Sequence, residues 1–233
     1  MRLNILSAGA AKGLLQSLAV REEIDFDGEF GAVGAMRERL DSGAPCDMIV
    51  LTERMIAELT AAGKVHAASV VPLGRVLTGV ALLSTAVPVP VDSVAALKTL
   101  LDGASRIYFP DPERATAGIH FMKVLTTLGL AESHQSRFAT YPNGAAAMRA
   151  MAEADDTRAV GVTQCSEILY TEGVQLLGAL PGEFELATVY SAALTATARG
   201  VDAAVSAARL LAALGAEANE ALRNAAGFES MNR

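Results

Sequence analysis

Four short stretches of this sequence set small residues beside polar ones: Ser7-Ala8-Gly9-Ala10-Ala11-Lys12, Phe30-Gly31-Ala32-Val33-Gly34, Arg114-Ala115-Thr116-Ala117-Gly118 and Tyr141-Pro142-Asn143-Gly144. Small side chains let a ligand approach the main chain closely. A helix that begins in such a stretch adds unpaired N–H donors and the positive end of its dipole. Several such beginnings aimed at one place hold an anion without a dedicated basic patch. The chemistry expected is therefore recognition of a small anion by backbone amides, aided by a few side chains. The candidate side-chain donors are Ser7, Lys12, Arg114, Thr116, Asn143, Thr163 and Gln164. Arg binds a carboxylate through two parallel hydrogen bonds, and Lys supplies a point charge. Gly9, Ala10, Ala32, Val33, Ala117, Gly118 and Gly144 complete the candidate set, as places where main chain meets ligand.

Each candidate also has a plain reading. Gly and Ala at helix starts permit tight turns and close helix–sheet packing. Lys12 reads as a solvated lysine, although a cation in a first helical turn opposes the dipole. Arg114 reads as a surface ion pair with Asp111 or Glu113, Thr116 as a helix N-cap, and Asn143-Gly144 as a turn and cap. His120 lies in the first turn of a helix, off its apolar face. A proton carrier is one reading, and a partly exposed histidine that nothing pairs is the plainer one. Tyr108, Tyr141 and Tyr190 lie near strand ends, where core packing is the default. No acid–base constellation stands out.

These stretches sit between alternating strand and helix signals. Residues 3–7 form a short apolar run, and residues 12–20 read as a helix with Leu14, Leu15 and Leu18 on one face. A strand end at 29–32, a helix at 34–40, a buried strand at 47–51 and a helix at 53–62 follow. This β-α-β-α-β order predicts a mostly parallel sheet covered by helices. The pattern returns with an extended run at 75–84, a helix at 94–101, a strand at 106–109 and a helix at 117–128, with Phe121, Leu125 and Leu128 as its core face. Further strands are expected at 137–141, 159–163 and 188–195, and helices at 144–153 and 202–225. In open parallel sheets ligands bind beyond the carboxyl ends of the strands, where the four stretches fall.

Bulk properties narrow the function. The 233 residues are 52% hydrophobic and 19% charged, which excludes a disordered chain and suits one domain or two small ones. A formal net charge of −7 argues against nucleic acid, which needs clustered Lys and Arg. Two cysteines, Cys46 and Cys165, and three scattered histidines show no metal-ligand spacing, so neither metal nor cofactor is expected. Both thiols are expected to be buried. The apolar region 76–91 is broken by Gly79, Pro88 and Pro90, so it is no membrane span. The first residues run into a strand without an export-signal pattern. The expected location is cytoplasmic, or periplasmic if a signal has been removed.

The sequence resembles the molybdate-binding family of type II periplasmic solute-binding proteins over nearly its whole length. The resembling segments are Ile5-Leu6-Ser7-Ala8-Gly9-Ala10, Phe30-Gly31-Ala32-Val33-Gly34, Gly43-Ala44-Pro45-Cys46-Asp47-Met48-Ile49-Val50, Asp111-Pro112-Glu113-Arg114-Ala115-Thr116-Ala117-Gly118-Ile119 and Gly161-Val162-Thr163. The resemblance implies an α/β fold of two lobes, each with a mostly parallel sheet flanked by helices, and a cleft between them. Lobe 1 would comprise residues 1–78 and 191–233 and lobe 2 residues 79–190, joined by two crossing strands that act as a hinge. The family grips its oxyanion with serine hydroxyls on the first and second junctions and a tyrosine on the last. The matching positions here are Ala10, Ala32 or Val33, and Gln164. Loss of those hydroxyls, with Lys12 and Arg114 among the donors of another kind, favours a di- or tricarboxylate over molybdate or tungstate.

Two functions from different classes follow. One is capture of the anion by hinge closure, with delivery to an ABC permease if the protein is exported. The other is catalysis by a cytosolic enzyme, since an aconitate isomerase resembles the same family. Cis–trans isomerisation of an unsaturated tricarboxylate needs a carboxylate clamp and a group that moves a proton. Molybdate or tungstate import and a cytosolic ligand sensor are further alternatives.

Overall fold

A computed structural model describes residues 2–197 and 201–231. The protein is α/β and divides into two compact units, Met1–Val76 with Thr188–Arg233 and Leu77–Ala187. The first half of unit 1 runs β1 (Leu3–Ala8), α1 (Lys12–Arg21), β2 (Phe26–Gly31), α2 (Val33–Asp41), β3 (Met48–Thr52) and α3 (Glu53–Ala61). The chain passes into unit 2 along β4 (Val71–Leu83). There it forms α4 (Val94–Gly103), β5 (Ile107–Pro110), α5 (Thr116–Thr127), β6 (Phe138–Tyr141), α6 (Gly144–Ala154), β7 (Val160–Gln164), α7 (Cys165–Leu169) and β8 (Val174–Ala179). It returns along β9 (Ala187–Leu194) and ends in α8 (Val201–Gly215) and α9 (Glu220–Ala225).

In unit 1 the strand order is β2-β1-β3-β9. β1 pairs in parallel with β2 and β3, and β9 closes the sheet antiparallel to β3. β3 is buried along Met48–Leu51, and Leu3, Ile5 and Leu6 of β1 are equally buried. Such continuous apolar runs are what a strand covered on both faces requires. β2, by contrast, is an edge strand carrying exposed Asp27 and Glu29. Leu14, Leu15 and Leu18 of α1 are all buried, as their spacing predicts. Asp47, from the Gly-Ala-Pro-Cys-Asp stretch, is a staple. Its buried carboxylate accepts the backbone N–H of Asn4 at 2.8 Å and the Asn4 side-chain amide at 3.0 Å, while its carbonyl accepts Thr195 N–H.

The single helix expected over 202–225 is in fact two. α8 ends at Gly215, where an added Cβ would lie 2.6 Å from Val71 Cγ1, so the helix terminus sits hard against β4. Asn219 and Arg223 then donate to the carbonyls of Ala213, Leu214 and Ala216, satisfying a helix end that would otherwise leave them unpaired.

In unit 2 the order is β4-β7-β5-β6, with β8 antiparallel to β4. β5 lies parallel to β6 and β7, and β4 runs antiparallel to β7. β8, absent from the expected elements, is a half-buried strand whose Val-Gln-Leu-Leu-Gly-Ala sequence has no clear alternation. One face of this sheet carries Val80, Leu82, Ile107, Phe109, Val160 and Val162, packed by Phe121, Val124 and Leu125 of α5. Phe109 meets Phe121 and Phe138 edge-on at 5.3 and 5.4 Å between centroids. Full burial of one such side chain contributes about 2–3 kcal/mol. Among the described residues, no helix is long and apolar enough to cross a membrane.

Candidate functional site

Unit 1 brings two of the four small-residue junctions side by side. Ala8 and Gly31 are register partners at the carboxyl ends of parallel β1 and β2, so both chains leave the sheet together. After Ala8 a single buried 3-10 turn, Gly9–Ala11, leads into α1 at Lys12. After Gly31 the chain enters α2 through Ala32, with Val33 as its first residue. Lys12 stands at this seam. Its Nζ lies 5.8 Å from the centroid of Phe30, a cation–π contact that keeps the ammonium beside the second junction. Ser7 is fully buried and its hydroxyl donates to Ala8 O at 2.9 Å, so its one donor is already engaged.

Unit 2 gathers the others. Pro110 of β5 is the register partner of Tyr141 of β6, and Asp111 N–H donates to Tyr141 O at 2.7 Å. Asp111 Oδ1 accepts the backbone N–H groups of Glu113 and Arg114 at 2.7 and 3.1 Å, shaping the turn that leaves Arg114 exposed. Thr116 is not the N-cap of α5. Ala115 occupies that position with extended dihedrals (φ −104°, ψ 131°), and Thr116 is the first helical residue. Gly118 follows its packing explanation: a Cβ there would strike the carbonyl oxygens of Pro110 and Asp111. His120 is paired after all, with Nε2 2.8 Å from the carbonyl oxygen of Phe184, a partner remote in sequence. Tyr108 and Tyr141 stack on each other at 6.1 Å, and Tyr190 packs edge-on against Phe228 at 6.0 Å.

The last junction is organised around a residue outside the candidate set. Asn143 caps α6, its Oδ1 accepting Ala146 N–H at 2.9 Å. Behind it lies Glu167, buried in α7. Thr163 Oγ1 donates to Glu167 Oε2 at 2.5 Å, and the backbone N–H groups of Ala145 and Gln164 also donate to this carboxylate. Burial pushes the Glu167 carboxyl above its ordinary range, and these hydrogen bonds pull the other way without prevailing. Glu167 thus acts as an internal hydrogen-bond acceptor for the starts of α6 and α7. Gly144 is needed for this contact, since a Cβ there would collide with Thr163 Oγ1 and Glu167 Oε2. The signal that could have revealed it is the spacing of Glu167 three residues after Gln164, the reach-back of a capping box. Cys46 and Cys165 are both buried, and burial drives the Cys46 thiol up to about 12.

The starts of helices α1 to α6 fall into two groups, while the short α7 and α9 also begin without a side-chain cap. α3, α4 and α6 are capped by the side chains of Thr52, Ser93 and Asn143. α1, α2 and α5 begin after Ala11, Ala32 and Ala115, with no side-chain cap. An alanine cap forgoes about 1 kcal/mol relative to Ser, Thr, Asp or Asn. These uncapped starts carry Lys12, Val33, Thr116 and Ala117, and Gln164 lies one strand away from α5 at the end of β7. Such ends suit a small anion, with Lys12 beside those of unit 1 and Arg114 close in sequence to that of unit 2.

Residues 3–229 match the sequence profile of bacterial extracellular solute-binding proteins. The chain is 24% identical over 215 residues to an aconitate isomerase from a Pseudomonas species, covering 87% of this chain and 79% of that protein. Its fold is similar to the periplasmic molybdate-binding protein of Azotobacter vinelandii, with a TM-score of 0.75 at 20% identity over 98% of this chain and 99% of the other. The sulfate-binding protein of Mycobacterium tuberculosis H37Rv aligns with a TM-score of 0.66 at 15% identity, over 100% of this chain and 88% of the other.

Proposed function

Because the chain belongs to the bacterial extracellular solute-binding protein family, with the molybdate-binding type of fold, we propose that it binds a small di- or tricarboxylate through uncapped helix starts of the kind that open α1 and α2 in unit 1 and α5 in unit 2. The observation that carries this reading is the division of the caps. α3, α4 and α6 supply their own caps, whereas α1, α2 and α5, at three of the four small-residue junctions, do not. The positions where the resemblance calls for serine hydroxyls hold Ala10, and Ala32 or Val33. That absence weakens the grip on a tetrahedral oxyanion. Lys12 and Arg114 suit carboxylates instead, by charge and by paired hydrogen bonds. An ABC permease is the partner this reading implies, in keeping with the periplasmic proteins that share the fold.

Likeness to an aconitate isomerase supports a second reading, turnover of an unsaturated tricarboxylate. A thermal-shift panel of citrate, cis- and trans-aconitate, sulfate, molybdate and tungstate tests the first reading. Carboxylates are expected to raise the melting temperature, since ligand at a hundredfold excess over Kd adds about 2.7 kcal/mol. Stabilisation by molybdate or tungstate alone overturns the carboxylate assignment. Ultraviolet absorbance of cis-aconitate over time then separates binding, which leaves the spectrum unchanged, from isomerisation.

A further inference from the structure

Three positions meet on one face of the unit 2 sheet. Thr78 of β4 is the direct antiparallel partner of Gln164, the last residue of β7. Directly opposed residues project from the same face of a sheet, and alternation puts Thr78 with Val80, and Gln164 with Val162. Val80 and Val162 both belong to the core covered by α5. Thr78 and Gln164 therefore continue that face towards the carboxyl ends of β5 and β7. The chain climbs from β5 into α5 at that end, and α5 packs on both strands. Its twelve residues begin after Ala115 without a side-chain cap.

Thr78 is 0% exposed, and its Oγ1 has no hydrogen-bond partner. Its backbone is fully engaged, with N–H donating to Leu186 O at 3.0 Å and its carbonyl accepting Leu180 N–H at 2.9 Å. A buried hydroxyl without a partner is destabilising, and valine would fill the same volume without that cost. A second buried hydroxyl of this kind, Ser166 Oγ, lies in α7, where no strand register fixes its direction. The inference is confined to Thr78.

We propose that Thr78 Oγ1 is a ligand-contacting hydroxyl of the anion site, donating to a carboxylate oxygen held at the start of α5. Thr78 thereby supplies the site with a hydroxyl donor from β4. This assignment rests on the carboxylate-binding reading above and adds a residue that selects between ligands at that site.

Thr78→Val removes the hydroxyl at nearly constant volume, Thr78→Ser retains it, and Thr78→Ala is a smaller variant in case valine does not fold. Calorimetric titration uses citrate and trans-aconitate as probes, and ligand-free melting is measured in parallel. Thr78→Val is expected to bind at least about tenfold more weakly, with a ligand-free melting temperature equal to or above that of the wild type. Thr78→Ser should stay within about threefold of wild-type affinity. Wild-type affinity in Thr78→Val, or in Thr78→Ala if valine does not fold, overturns this inference alone. So does weaker binding that Thr78→Ser shares, or that comes with an equally lowered ligand-free melting temperature in Thr78→Val, because the hydroxyl is then structural. A wild type that binds neither probe overturns the carboxylate reading and this assignment with it.

Discussion

Glu167 shows how one buried side chain can occupy donors that would otherwise be counted towards a ligand site. Its carboxylate collects Thr163 Oγ1 and the amides of Ala145 and Gln164, so Thr163 and the start of α6 have an internal partner. Burial raises its pKa in the folded state. The folded protein thus holds this proton to a higher pH than the unfolded chain. The stability this contributes is complete below the ordinary carboxylate pKa and is lost as pH rises through the raised folded value. Denaturant titrations from about pH 4 to pH 8 should show the wild type losing stability relative to Glu167→Gln as pH rises. Parallel profiles would show that folding does not shift the Glu167 pKa. The candidate donors sort in the same way. Ser7 and Asn143 use hydrogen-bonding atoms internally, whereas the Lys12 ammonium sits over Phe30 at the seam of two junctions.

At the scale of elements, the informative contrast is between helices that begin on Thr52, Ser93 or Asn143 and those that begin on alanine. α5 provides a direct test, because Ala115 already has the extended dihedrals of an N-cap. Ala115→Ser should stabilise the ligand-free protein by about 1 kcal/mol. The same substitution should weaken carboxylate binding, since the new hydroxyl competes for the amides an anion would use. Stabilisation with unchanged affinity would remove α5 from the site. Most element positions were legible from local pattern: the leucine stripe of α1, the apolar run of β3, and the turn before α5. The break between α8 and α9 was not. An Ala- and Leu-rich sequence has high helix propensity throughout, and it is the close approach of Gly215 to Val71 that accompanies the end of α8. β8 was missed for a related reason, since its pairing with β4 rather than its own alternation makes it a strand.

For the molecule as a whole, a net charge of −7 coexists with an expected anion ligand because a few local donors outweigh distant charge. Lys12 belongs to unit 1 and Arg114 to unit 2. A cation that holds the carboxylate should lower affinity about ten- to a hundredfold when replaced by methionine, the range for charged hydrogen bonds. Citrate titration of Lys12→Met and of Arg114→Met checks each residue separately, and unchanged affinity removes that residue from the site. The sequence by itself determined the α/β class, the family and the order of junctions. These depend on hydrophobic period, on small residues after strands and on short motifs, all of which act within a few residues. Tertiary structure alone decided which helix starts are internally occupied, that Thr116 follows the cap rather than forming it, and that Thr78 is a buried hydroxyl facing the core side of α5. Each of these depends on groups far apart in sequence, such as Glu167 with Ala145 or Thr78 with Gln164, which only the packing of strands and helices brings together.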